Sequence, residues 1–208
     1  AQGGTKRITL KEAIRMWEER GECPLDEVTE LKLNGWNPPI EKLDNSTASI
    51  PKCEKLSLST NMVERLANLN PLKCLRVLSV SRNYLKSLAG VEVCADTLEE
   101  IWASYNLIEK PSKGVTNCKK LRVLYLANNW IKDWSEVHRL SECPELDELI
   151  LVGNPLEEKF TSAGGSAAEW QKEVSKKLLQ IRRLDGWNIV RTEDEPPEEV
   201  EEAKPVQV

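Results

Sequence analysis

One histidine and six cysteines are the side chains here that most readily do nucleophilic or metal chemistry. Zinc sites of the common kind need thiolates or imidazoles paired a few residues apart. Cys23, Cys53, Cys74, Cys94, Cys118 and Cys143 include no C-x-x-C pair, and His138 has no second imidazole to work with. There is no phosphate-cradling G-x-x-x-x-G-K-[ST] and no nucleophile elbow G-x-S-x-G. The chain is therefore expected to be no enzyme, with no metal, no cofactor and no small-molecule substrate. Most of the cysteines stand one to four residues ahead of a leucine, as in "NCKKL" and "ECPEL". That placement suits small buried spacers with reduced thiols.

Asparagine is the informative polar residue. Asn61, Asn83, Asn106, Asn129 and Asn154 follow one another at intervals of 22, 23, 23 and 25 residues. Each closes an apolar ladder of the form L-x-x-L-x-L-x-x-N-x-L. The clearest copy is Leu121, Leu124, Leu126, Asn129, Ile131. A worn copy begins at Cys53, and a degenerate first copy (Val28, Leu31, Leu33) has Trp36 where the asparagine should stand. This is the leucine-rich-repeat pattern. A side-chain amide at the turn can donate to and accept from backbone groups that would otherwise be buried unpaired.

The repeats require particular elements to hold those residues. Alternation along x-L-x-L makes a short strand whose leucines share one face. One strand cannot bury that face alone, so six repeats over residues 28–160 should stack into a parallel sheet. The return segments "VERLANLNPLKC", "LKSLAGVEVCAD" and "IKDWSEVHRLSEC" have roughly helical apolar spacing, which predicts short helices or turns on the convex side. The expected fold class is α/β: a leucine-rich-repeat solenoid with a concave sheet and helical caps at both ends. Residues 1–27 form the N-terminal cap, with Thr9 as N-cap and Glu12 completing a capping box. Residues 161–190 form the C-terminal cap, in which "FTSAGGSAA" reads as a loop and 169–187 as one helix striped by Trp170, Val174, Leu178 and Ile181. Residues 191–208 are an acidic tail, expected to be disordered.

The net charge of −5 lies wholly in that tail, which leaves a balanced body. A neutral body argues against nucleic-acid binding. No stretch is long and apolar enough to span a membrane, and no signal sequence opens the chain, so a reducing, cytoplasmic setting is expected.

The side chains between the leucines must face outward. They change from polar in the early strands to apolar in the later ones. Val77, Trp102, Val123, Tyr125, Ile150 and Val152 should form one partner-binding patch, edged by Tyr84, Leu107 and Trp130. Lys176, Lys177, Arg182 and Arg183 should lie on the exposed face of the C-terminal helix, where they could meet an acidic surface such as a microtubule.

"TLKEAIRMWEER", "PPIEKLD", "KCEKLSLSTNMVERL", "DTLEEIWASYNLIEK", "LRVLYLANNWIKDWSEVHRL", "LILVGNPL" and "RRLDGW" together resemble the family of axonemal outer-arm dynein light chain 1 over about residues 5–190. The resemblance implies a non-catalytic subunit, bound to an outer-arm dynein heavy chain at its microtubule-binding stalk tip, in the cytoskeleton of a cilium or flagellar axoneme. It implies an effect on how the motor engages tubulin. The family's use of its terminal helix adds Arg182, Arg183 and Trp187 as contacts. The residues alone also fit a regulatory scaffold of a protein phosphatase or of a nuclear RNA-processing complex.

Overall fold

The computed structural model describes residues 6–21 and 23–191; the expectations for residues 1–5 and for the acidic tail beyond Arg191 fall outside them. Six repeat strands form in order: β2 (Glu30–Lys32), β4 (Lys55–Ser57), β5 (Val77–Ser79), β6 (Glu100–Trp102), β7 (Val123–Tyr125) and β8 (Glu148–Ile150). All pair in parallel, each with its sequence neighbour. Their register places Leu31, Leu56, Leu78, Ile101, Leu124 and Leu149 in one row. Every member of that row is buried to within 1%. The predicted α/β leucine-rich-repeat solenoid is the fold observed.

The asparagines tie the layers together. Asn129 shows the pattern: its Oδ1 accepts from Ile108 N–H at 3.0 Å, and its Nδ2 donates to Ala103 O at 3.0 Å and Leu126 O at 3.1 Å. Asn83, Asn106 and Asn154 repeat it, each reaching into the preceding repeat. Asn61 donates to Leu33 O and Leu58 O and accepts from Ile40 N–H. All five are buried. The residue before each takes positive φ, even where it is Thr60, Arg82, Tyr105 or Asn128. Such a conformation is unfavourable for these side chains. It is held because the N–H of that residue bonds the next strand's chain, as Tyr105 N–H does to Ala127 O.

The convex side is less helical than its apolar spacing suggests. The segment 64–74 contains no helix, Val91–Cys94 is a single 3-10 turn, and only Trp134–Arg139 (here α3, after a broken turn α2 at Ser112–Val115) is α-helical. Repeats of 22–25 residues leave too little chain for longer helices around a tight bend. The bend is close-packed: a Cβ on Gly90 would fall 1.8 Å from Leu66 O, and one on Gly114 2.2 Å from Leu88 O. Four cysteines are buried spacers as expected, but Cys23 and Cys74 are exposed.

Both ends are closed. Helix α1 (Leu10–Glu18) has its capping box from Thr9 and Glu12 and buries Leu10, Ala13, Ile14 and Trp17. Just before it, β1 (Ile8–Thr9) pairs in parallel with β3 (Ile40–Lys42), an addition the sequence pattern did not announce. At the other end the expected loop is largely helix: α4 (Pro155–Ser162) starts on Pro155 at a favourable first-turn position. Helix α5 covers only Ala167–Lys177, capped by Ser166 and Glu169. The chain then leaves the helix, and β9 (Arg183–Leu184) joins the sheet as a seventh parallel strand. It turns through Asp185 and Gly186, both at positive φ, into β10 (Trp187–Asn188). Leu178 and Ile181 are buried as predicted, but not on one continuous helix.

Candidate partner-binding site

Three outward rows run across the sheet. The middle one reads Lys32, Ser57, Ser79, Trp102, Tyr125, Ile150. Its last three members are adjacent. Trp102 and Tyr125 stack with ring centroids 6.1 Å apart at 19°. Stacking of this kind adds roughly 1 kcal/mol to simple burial, and Trp102 stays 39% exposed. Val152, 45% exposed, follows Ile150 by two residues and extends the patch toward the C-terminal end.

The first row reads Glu30, Lys55, Val77, Glu100, Val123, Glu148, Arg183. Here the expected patch is interrupted, because Glu100 separates Val77 from Val123. Glu100 and Glu148 hold the aromatic pair in place. Trp102 Nε1 donates to Glu100 Oε2 at 3.1 Å, and Tyr125 Oη donates to Glu148 Oε1 at 2.9 Å. Burial first, then this hydrogen bond to an anion, pushes the Tyr125 phenol up to about 12. Glu148 is in turn paired with Arg183 Nη2 at 2.5 Å. The site is thus an apolar platform with carboxylates along one side. Alternation along the strands puts Glu100 and Glu148 on the outward face, but their bonds to the rings depend on side-chain geometry that the sequence does not carry.

The edge residues lie differently from one another. Tyr84 and Trp130 are about half exposed and Leu107 is half-buried. Leu107 and Trp130 line a groove of their own with Lys86, Lys110 and Lys113. Tyr105, which the sequence reading missed, is also exposed, with the Arg82 guanidinium 4.3 Å from its ring centroid.

The C-terminal contacts need correction. Arg182, Arg183 and Trp187 do not extend the helix's basic face. Arg182 precedes β9 and pairs with Asp147, Arg183 is on the sheet, and Trp187 projects from β10 at 71% exposure. An Asp-Gly pair between two short apolar stretches is a hairpin signal and could have located this turn. Lys176 and Lys177 do lie on α5. Lys176 pairs with Glu173, and Lys177 Nζ sits 5.0 Å from the Trp134 ring centroid. Asp185 holds this end against the platform. Its Oδ1 accepts from Leu151 and Val152 N–H, and its Oδ2 from Trp170 Nε1.

Among the described residues, no group of three or more His, Cys, Asp or Glu could hold a metal, and no helix is long and apolar enough to cross a membrane.

No family model matches the chain. It is 48% identical over 191 residues to dynein axonemal light chain 1 of Homo sapiens, covering 91% of this chain and 97% of that protein. The chain belongs to the dynein axonemal light chain 1 family. The light chain 1 of Danio rerio matches at 47% over 91% of this chain and 96% of its own length, and that of Chlamydomonas reinhardtii at 39% over 88% and 92%. Solved structures agree on the fold. A leucine-rich-repeat protein of Leptospira interrogans aligns with TM-score 0.58 at 22% identity, over 76% of this chain and 37% of that one. A chain of the Drosophila melanogaster SNF/U2A' complex aligns with TM-score 0.54 at 19%, over 79% and 87%. These light chain 1 relatives match about nine tenths of the chain and nearly the whole of their own length.

Proposed function

We propose that this chain is a non-catalytic light chain of outer-arm axonemal dynein, working in the cilium or flagellum. It binds the heavy-chain motor domain at the microtubule-binding stalk tip and adjusts how the motor engages its track. Family membership supports the dynein assignment. The single observation that carries the site is the Trp102–Tyr125–Ile150–Val152 platform. Large aromatics, preorganised and partly exposed on a rigid sheet, are the side chains that dominate binding hot spots. Their carboxylate partners fix the rings before a partner arrives, which lowers the entropy cost of docking. Val77 and Val123 border the platform across Glu100. Lys176, Lys177 and Trp187 stand at the same end and would face an acidic surface such as tubulin. Arg182 and Arg183 would contribute less, being already engaged by Asp147 and Glu148.

A recombinant heavy-chain stalk tip tests this. Trp102→Ala combined with Tyr125→Ala should weaken binding by at least about 2 kcal/mol, with thermal stability of the light chain little changed. Unchanged affinity would mean that another surface makes the contact.

A further inference from the structure

We propose that the flank groove beside Trp130 is a second docking site, separate from the sheet platform. Its occupant is a short acidic segment of a partner protein that carries one large apolar side chain. The groove holds about 520 Å³ and runs along the turns that leave the strands. Leu107 and Trp130 provide its apolar surface; Lys86, Lys110 and Lys113 surround it. Trp130 is 50% exposed, yet its backbone is fixed by an N–H bond to Ile108 O. The one acid on the lining, Glu109, is paired with Lys132 at 3.8 Å, and Lys132 also lies 5.5 Å from the Trp130 ring centroid. Lys86, Lys110 and Lys113 are within ion-pair distance of no carboxylate among the described residues.

Three uncompensated cations around an exposed indole, on a body whose charge is otherwise balanced, make a local positive field with an apolar anchor. An isolated surface lysine contributes little. Several converging on one groove steer an anionic segment and set its orientation, while the indole supplies contact area. Long solvated anions lack the apolar residue that Trp130 and Leu107 would bury. Arg191 is anchored by its guanidinium to Leu178 O and Ile181 O, and the acidic residues that follow it in sequence are the competing occupant that the test includes.

The test uses the full chain and a fluorescein-labelled twelve-residue peptide of Glu and Asp around one central Phe, followed by anisotropy at low salt. Lys86→Glu, Lys110→Glu and Lys113→Glu together should weaken binding at least about tenfold. Trp130→Ala should weaken it about fivefold. The platform variant Trp102→Ala/Tyr125→Ala should bind the peptide as the parent does. Circular dichroism and the melting midpoint check that each variant is folded. The proposal is overturned if the triple charge reversal leaves affinity unchanged, or if the platform variant loses as much. It is also overturned if a twelve-nucleotide single-stranded DNA competes as well as the peptide, or if removing residues 192–208 raises peptide affinity more than about tenfold, which would make the tail the occupant.

Discussion

A single asparagine in each repeat does what a ligand does in a metal site: it gathers groups from separate segments around one centre. Asn129 joins Ile108, Ala103 and Leu126. Replacing it with Ala would leave one buried N–H, that of Ile108, without its partner, while Ala103 O and Leu126 O would keep the amides of Asn106 and Asn154. An orphaned buried group costs about 1–3 kcal/mol, so Asn129→Ala should lower unfolding free energy by about 2 kcal/mol in a urea titration. The cysteines behave oppositely, as passive filler. Burial pushes the thiols of Cys53, Cys94 and Cys143 up to about 11 and that of Cys118 to about 12. Cys23 and Cys74 are exposed. At pH 8 a thiol-specific chromogenic reagent should therefore label two cysteines quickly in the native chain and all six only after denaturant is added. Fast labelling of more than two would contradict the packing. These residue-level roles were legible early, since the asparagine interval and the cysteine positions both follow the repeat. Which cysteines face out, Cys23 and Cys74, is shown by the tertiary structure.

At the scale of elements, the C-terminal cap carries the main lesson. The apolar stripe at Trp170, Val174, Leu178 and Ile181 correctly identified what is buried, yet it did not identify the element. The stripe continues past Lys177, where the backbone leaves the helix, and the later residues reach the core through a strand and a hairpin. Side-chain period alone does not distinguish these routes. Burial of Leu184 against the sheet edge, available only from a tertiary partner, settles the competition. Asp185 locks the result by accepting from Leu151, Val152 and Trp170. Asp185→Ala should cost about 3 kcal/mol in chemical denaturation. Asp185→Asn, which keeps a carbonyl acceptor, should cost distinctly less. Equal losses would show that charge rather than hydrogen bonding holds the end.

As a whole, the molecule is a stack whose layers contact mainly their neighbours, and such stacks depend on their ends. The C-terminal end is sealed by an aromatic cluster, with Trp134 to Trp170 at 5.2 Å and Phe160 to Trp170 at 5.6 Å between centroids. Deleting residues 164–208 would remove Trp170, uncover Trp134 and Phe160, and leave β8 as an open parallel edge. The shortened chain should bind a hydrophobic dye, self-associate in sedimentation and lose its sharp melting transition. A monomer with an unchanged melting curve would show that the cap is dispensable. The same cap positions Val152 and Arg183 at the end of the platform, so stability and the proposed contact share one set of bonds.

By itself the sequence determined that a curved parallel sheet exists and which side chains leave it. Leucine alternation and asparagine spacing are local regularities that only one stacking satisfies. It also determined that the outward face becomes apolar along the stack. The tertiary structure alone decided how those outward residues meet. Register sets Glu100 between Val77 and Val123, and brings Glu148 to Tyr125 and Arg183 to Glu148. It also separates the groove at Trp130 from the platform at Trp102. Those relations span more than twenty residues of chain, and contacts at such separations depend on the path of each loop, which the repeat pattern leaves open.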